Sequence, residues 1–229
     1  MIGIIGAMTI EIEQIHMLMT DKKEEVISGI NFVRGLFFGK EIVAAVSGVG
    51  KVNAAVCAEI MILKYLPEYI INTGVGGGLA DGLKIGDVAL SCCTVEHDMD
   101  TTPLGEPKGY ISGIDSVKVK ADEEILEKFK KVLSKLNLNY IVGPVASGDQ
   151  FINSPEIKER IKSEFGAVCC EMEGASIGHV CAMNNVPFVV IRAISDSADD
   201  NSHISFPEFV KFATDNSIKT LSEYFKNYA

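Results

Sequence analysis

Short apolar runs without polar alternation punctuate this chain: Ile2 to Ile5 closing on Gly6, Glu41 to Ser47, Tyr69 to Asn72, Asp87 to Ser91, Ala167 to Cys170 and Val186 to Ile194. A strand that is apolar on both faces has none to offer water, so it belongs inside a sheet covered on both sides. The intervening segments supply the cover. Asn53 to Tyr65 sets Val56, Ile60 and Leu63 at helical spacing and stops before Pro67. Asp122 opens an amphipathic helix whose Ile125, Leu126, Phe129, Val132, Leu133 and Leu136 share one face, while Glu124 with Lys128 and Glu127 with Lys131 pair on the other. Ser154-Pro155 starts another helix that Gly166 stops, and Ser205-Phe206-Pro207-Glu208 reads as a capping box opening the last one. No linker, repeat or low-complexity tract interrupts the 229 residues. The pattern predicts one α/β domain over 1–229, a three-layer fold with a central mixed, largely parallel sheet flanked by helices.

In such sheets ligands gather at the carboxyl ends of strands. Four of those ends carry polar or glycine-rich residues. The first strand leads into Gly6-Ala7-Met8 and then Glu11; the run at Tyr69 leads into a glycine-rich turn, Gly74-Val75-Gly76-Gly77-Gly78. Ala167 to Cys170 leads into Glu171-Met172-Glu173-Gly174, and Val189-Val190-Ile191 into Arg192-Ala193-Ile194-Ser195-Asp196. Charges at the end of a buried strand are costly unless paired or used, so Arg192 and Asp196 form either a structural ion pair or part of a site. Glu171 and Glu173, two apart in a strand, face the same side, so either at least one of them needs a partner or the pair marks a solvated strand end. Glu11 by itself reads as an ordinary acid in the first turn of a helix. The glycine run lacks the ending of a P-loop and the spacing of a dinucleotide fingerprint; it says only that backbone closely approaches something there.

Composition narrows the partners. A formal net charge of −10 disfavours nucleic acid and anionic membranes, which need clustered Lys and Arg. No apolar run approaches the length of a membrane span, and the N-terminus lacks a basic region and cleavage site, so a cytoplasmic protein is expected. The six cysteines form no C-x-x-C pair and read as small buried thiols. Glu96-His97-Asp98-Met99-Asp100 does not converge as metal ligands do, and no Ser-His-Asp or Cys-His set is apparent. No metal or cofactor is expected. A small neutral or cationic ligand suits this charge.

Taken together, certain stretches resemble one family. Ile2-Gly3-Ile4-Ile5-Gly6-Ala7-Met8 with Glu11, Ser47-Gly48-Val49-Gly50-Lys51-Val52, Ile71-Asn72-Thr73-Gly74, Ser147-Gly148-Asp149-Gln150-Phe151-Ile152-Asn153, Glu171-Met172-Glu173, Val190 to Asp196, and Ser202-His203 with Ser205-Phe206 occur in the order seen in the 5′-methylthioadenosine/S-adenosylhomocysteine nucleosidases, within the nucleoside phosphorylase superfamily. The likeness runs nearly end to end. It implies a nucleoside phosphorylase-like fold, a nucleoside substrate with water as co-substrate, and a homodimer. It also implies hydrolysis that releases adenine and serves methionine salvage.

The resemblance further implies roles. Asp196 protonates the purine at N7, with Ser195 placing it; Phe151 stacks on adenine and the Ile152 backbone meets its edge. Glu173 holds the ribose hydroxyls over Met172. Glu11 activates water beside Arg192, and Met8, Val49 and Phe206 line the sugar and alkylthio end. Breaking an N-glycosidic bond puts positive charge on ribose and negative charge on adenine, which explains acids on both sides. Two features depart from the family. Val75-Gly76 stands where Ser-Ala is usual, which makes Val75 a substrate contact without a hydroxyl. The stretch 101–112 also diverges, although Thr101 and Leu104 are still expected to reach a neighbouring subunit's pocket. Preference among thio-, homocysteinyl- and deoxyadenosine or futalosine-type nucleosides stays open. So do a phosphate-dependent phosphorylase and a non-catalytic nucleoside-binding protein.

Overall fold

The computed structural model describes residues 1–198 and 202–229, apart from the side chains at 203–205. Its strands are β1 (Ile2–Gly6), β2 (Thr20–Ile27), β3 (Ile30–Phe37), β4 (Lys40–Val46), β5 (Ile70–Gly78), β6 (Val88–Glu96), β7 (Val119–Lys120), β8 (Tyr140–Ser147), β9 (Cys169–Glu171) and β10 (Phe188–Asp196). The helices are α1 (Thr9–Leu18), α2 (Lys51–Tyr65), α3 (Glu123–Lys135), α4 (Pro155–Phe165), α5 (Gly174–Asn184) and α6 (Ser202–Asn227). β4, β1, β5 and β10 lie side by side and parallel. The β2–β3–β4 meander extends one margin antiparallel, and β10 also pairs β6, so that β10, β6, β8, β9 and β5 form a closed ring. The sheet is mixed and helix-flanked, as the alternation of patterns predicts.

The two-faced strands explain the layers. Ile4, Ile71 and Val189 face one core with Ile12, Ile15, Phe129 and Tyr224 from α1, α3 and α6. Their neighbours Ile5, Ile70 and Val190 face the other, with Ala54, Ala58, Met61, Ile177 and Cys181 from α2 and α5. A side chain alternates across a strand with period two, so a run apolar at every position feeds two cores at once. Phe129 stacks on Tyr224 at 4.1 Å and 5° between planes, and the Tyr224 hydroxyl meets that of Tyr69 at 3.0 Å.

Several local expectations hold. Asp122 Oδ1 accepts the Ile125 N–H at 2.9 Å, Ser154 caps α4, and Gly166 ends it at φ 66°. Others change. The glycine run 74–78 is no turn: it is the second half of β5. Glu173 is not in a strand, because β9 stops at Glu171 and Glu173 is the residue just before α5, at whose start the Glu171 carboxylate accepts the first N–H groups. Glu127 pairs with Lys130 rather than Lys131, while Glu124 does pair with Lys128. Cys92 is exposed, unlike the other five thiols. α6 begins at Ser202 and carries Pro207 inside it; the Ser205 side chain of the expected capping box lies outside the described residues. The β2–β3 hairpin has a weak sequence signature, because β2 is exposed and polar as far as Glu25 and only Ile27 packs against the core.

Candidate active site

The carboxyl ends of β1, β5, β9 and β10 meet at a cavity of about 340 Å³, the size of a small-molecule site. All twelve residues expected to act within one chain line it: Met8, Glu11, Val49, Val75, Phe151, Ile152, Met172, Glu173, Arg192, Ser195, Asp196 and Phe206. Thr101 and Leu104 do not line it; they sit at a short 3-10 turn, where Leu104 is 82% exposed. Sequence reasoning missed Gln150 and Cys170 on the wall, and gave Glu171 no settled place in the site. All three sit inside motifs already recognised, and adjacency was the signal available for them.

Glu11 does more than neutralise a helix dipole. One carboxylate oxygen accepts the N–H groups of Ala7 (2.7 Å) and Met8 (2.9 Å), and the other that of Val75 (3.0 Å). The acid is therefore pinned by backbone from both β5 and its own helix start. Burial raises its pKa, and the charge of Arg192 and those three N–H groups only partly offset this. The glycines of β5 make the room. A methyl on Gly74 would overlap the Arg192 guanidinium and the Glu11 carboxylate, and one on Gly76 would overlap the Cys169 sulfur. Here lies the close backbone approach that the glycine run signals.

Arg192 is fully buried and does not pair with Asp196. It pairs with Glu171, accompanied by Glu173 at 3.5 Å and by Asn72 Oδ1 at 2.5 Å. Glu171 also accepts the N–H groups of Glu173 and Gly174 at the start of α5 and the Ser147 hydroxyl. Removing one partner would strand a buried charge at a cost of roughly 3–5 kcal/mol. Glu173 accepts the Gly50 N–H at 3.0 Å. Its pKa is pushed up to about 7, first by burial and then by the charge of Glu171, with Arg192 opposing. Three carboxyl groups thus share one guanidinium, which can compensate the charge of only one of them.

Asp196 is buried at the end of β10. Its Oδ2 accepts the Ser195 hydroxyl and its Oδ1 the Ala198 N–H, both at 2.9 Å. Opposite, Phe151 meets Phe206 edge-on at 5.7 Å, and Val75 packs with Ala193 and Ala213 against Met8, Phe206 and Val210. The cavity is therefore lined by a buried aspartate, an aromatic pair, an apolar patch, and three buried carboxyl groups around one arginine. Glu96 and Asp98, weighed as metal ligands, instead accept the Lys51 ammonium.

Residues 1–226 match the family model described as phosphorylase superfamily. The chain is 39% identical over 227 residues to the 5′-methylthioadenosine/S-adenosylhomocysteine nucleosidase of Staphylococcus haemolyticus, covering 99% of each. In structure it is similar to the nucleosidase of the same name from Neisseria meningitidis in complex with methylthio-immucillin-A, at a TM-score of 0.95 and 37% identity over 98% of each chain. It is also similar to the futalosine hydrolase of Helicobacter pylori, at a TM-score of 0.93 and 36% identity over 97% of this chain and 95% of that one.

Proposed function

The chain belongs to the phosphorylase superfamily, and we propose that it is the hydrolytic kind of member, a nucleosidase that cleaves the N-glycosidic bond of 5′-methylthioadenosine and S-adenosylhomocysteine and releases adenine. The observation that carries this reading is the cluster of Glu11, Glu171 and Glu173 around the single guanidinium of Arg192. A phosphate dianion brought to that cluster would face uncompensated carboxylates in a poorly solvated cavity. Water has no such difficulty, and a ribosyl cation is stabilised there.

In this reading Glu11 takes a proton from water as its oxygen bonds to C1′. The C1′–N9 electrons leave with adenine, and Asp196 supplies the proton at N7. A base works best when its pKa lies near the working pH, and burial moves Glu11 in that direction. Glu173 holds the ribose hydroxyls, Phe151 and Ile152 hold the base, and Met8, Val49, Val75 and Phe206 enclose the 5′ substituent. An apolar wall at Val75 favours methylthio and 5′-deoxy groups. Release of adenine from such by-products suits methionine salvage in the cytoplasm. No helix among the described residues is long and apolar enough to cross a membrane.

The active unit is a homodimer in this proposal. Val52, Val56 and Leu63 expose apolar side chains on α2, as do Met183 on α5 and Leu104 in its 3-10 turn; in this reading Thr101 and Leu104 reach a neighbour's cavity. The test is to incubate the protein with methylthioadenosine, S-adenosylhomocysteine, 5′-deoxyadenosine, inosine and futalosine in phosphate-free buffer. Free base is quantified and mass is read by sedimentation. Adenine and a free 5′-substituted ribose are expected from a dimer. A strict need for phosphate, with a ribose 1-phosphate as product, would overturn the hydrolase, and a monomer at full activity would overturn the shared pocket.

A further inference from the structure

Lys51, Asp98 and Asp149 do not line the cavity, yet they close a ring beside it. The Lys51 backbone N–H, at the first turn of α2, donates to Asp149 Oδ1 at 2.7 Å. The Asp149 N–H donates to Asp98 Oδ2 at 2.9 Å, and the Lys51 ammonium donates to Asp98 Oδ1 at 2.7 Å. Glu96 adds a second acceptor for the ammonium at 3.1 Å and meets His179 Nδ1 at 3.0 Å with its other oxygen. The Ser176 hydroxyl on α5 donates to the Lys51 carbonyl at 2.6 Å. The bonds to Asp98, Asp149 and Glu96 are charge-assisted; the Lys51, Glu96 and Asp98 side chains are only 19%, 11% and 20% exposed, so water competes weakly for the ammonium, while the two bonds of Asp149 lie at the exposed end of the ring.

The ring joins two walls of the site. One residue before Lys51, the Gly50 N–H holds Glu173. Gly50 has a φ of 99°, a conformation open to glycine and strained for other residues, so the chain turns there for that contact. One residue after Asp149, the segment Gln150, Phe151 and Ile152 forms the cavity wall. Residues 148–154 have no regular secondary structure. Among the described residues, the hydrogen bonds tying the start of this segment to the rest of the fold are Gly148 N–H to the Glu171 carbonyl and the two bonds of Asp149.

We propose that Lys51, Asp98 and Asp149 are positioning residues that set the distance between the Glu173 grip and the Phe151 wall, and so align a nucleoside held by both. The proposal rests on the function argued above, since it takes Phe151 as the base platform and Glu173 as the ribose grip. It assigns work to three side chains that touch no substrate. Holding the Phe151 segment in place spares a bound molecule the cost of ordering it, so losing the ring weakens the binding of whatever uses that wall.

The experiment compares wild type with Lys51→Met, which keeps the apolar stem and removes the ammonium, and with Lys51→Arg, which restores a cation. Asp98→Asn, which keeps shape and loses charge, serves should Lys51→Met fail to fold. KM and kcat for methylthioadenosine, the calorimetric affinity for free adenine, and the melting temperature are measured. Lys51→Met should raise KM about tenfold or more and weaken adenine by a similar factor, with kcat within about threefold, and Lys51→Arg should recover most of the loss. A lowered melting temperature with unchanged KM and unchanged adenine affinity would overturn the proposal and leave a merely structural ion cluster. If wild type releases no base from any nucleoside yet Lys51→Met still weakens adenine, the nucleosidase reading falls while the ring keeps its role. If wild type does not bind adenine at all, both fall.

Discussion

Glu11 is the residue at which sequence and structure differ most in what they say. In the sequence it is one acid in the first turn of a helix, a place where acids are common. In the folded chain it accepts three backbone N–H groups, from Ala7, Met8 and Val75, and stands beside a buried arginine. Nothing local announces the third of those bonds, because Val75 lies 64 residues away. Asp196 and Glu173 were easier to suspect, since both sit at the ends of apolar runs where an acid is costly. The carboxyl chemistry predicts that Glu11→Gln and Asp196→Asn each lower kcat by about 10²–10⁴ while leaving binding of a substrate analogue within a few fold. Adenine release followed alongside analogue titration checks it, and a variant with near-normal turnover would remove that residue from the mechanism.

At the scale of elements, β5 shows why a glycine-rich segment resists interpretation. Five residues from Gly74 to Gly78 hold four glycines, and by propensity they read as a turn. The structure keeps them extended, because β10 pairs with Gly74 to Gly77 and β9 with Gly77 and Gly78. The missing side chains are needed for space rather than for turning. Gly74→Ala should therefore act like an active-site mutation. Its methyl would displace the Arg192 guanidinium and the Glu11 carboxylate, with an expected loss of about 1–3 kcal/mol in urea unfolding and a fall in kcat of at least about tenfold. Full activity with native stability would show that the pair can shift without consequence. By contrast, α3 and α4 were legible almost to the residue, since Asp122, Ser154 and Gly166 carry their capping information locally.

For the whole molecule, the buried acids couple the site to stability. Glu11 and Glu173 both hold protons more tightly in the fold than at their ordinary value of 4.5, chiefly through burial, Glu173 up to about 7. Between those limits the native state keeps protons that the unfolded chain has released. Stability therefore falls as pH rises through that window. The melting temperature should be higher at pH 5 than at pH 7.5, and Glu173→Gln should flatten the slope; an unchanged slope in the variant would assign the effect to other groups. The apolar runs alone dictated a sheet buried on both faces, because residues of alternating direction and uniform polarity admit no other environment. Local capping residues likewise dictated where α3 and α4 begin and α4 ends. Which acid meets the arginine was left to tertiary structure. Asp196 is the charged neighbour of Arg192 in sequence, yet the guanidinium pairs with Glu171. β5, β9 and β10 bring those groups together, and pairing of a buried charge is decided by what lies within reach in space.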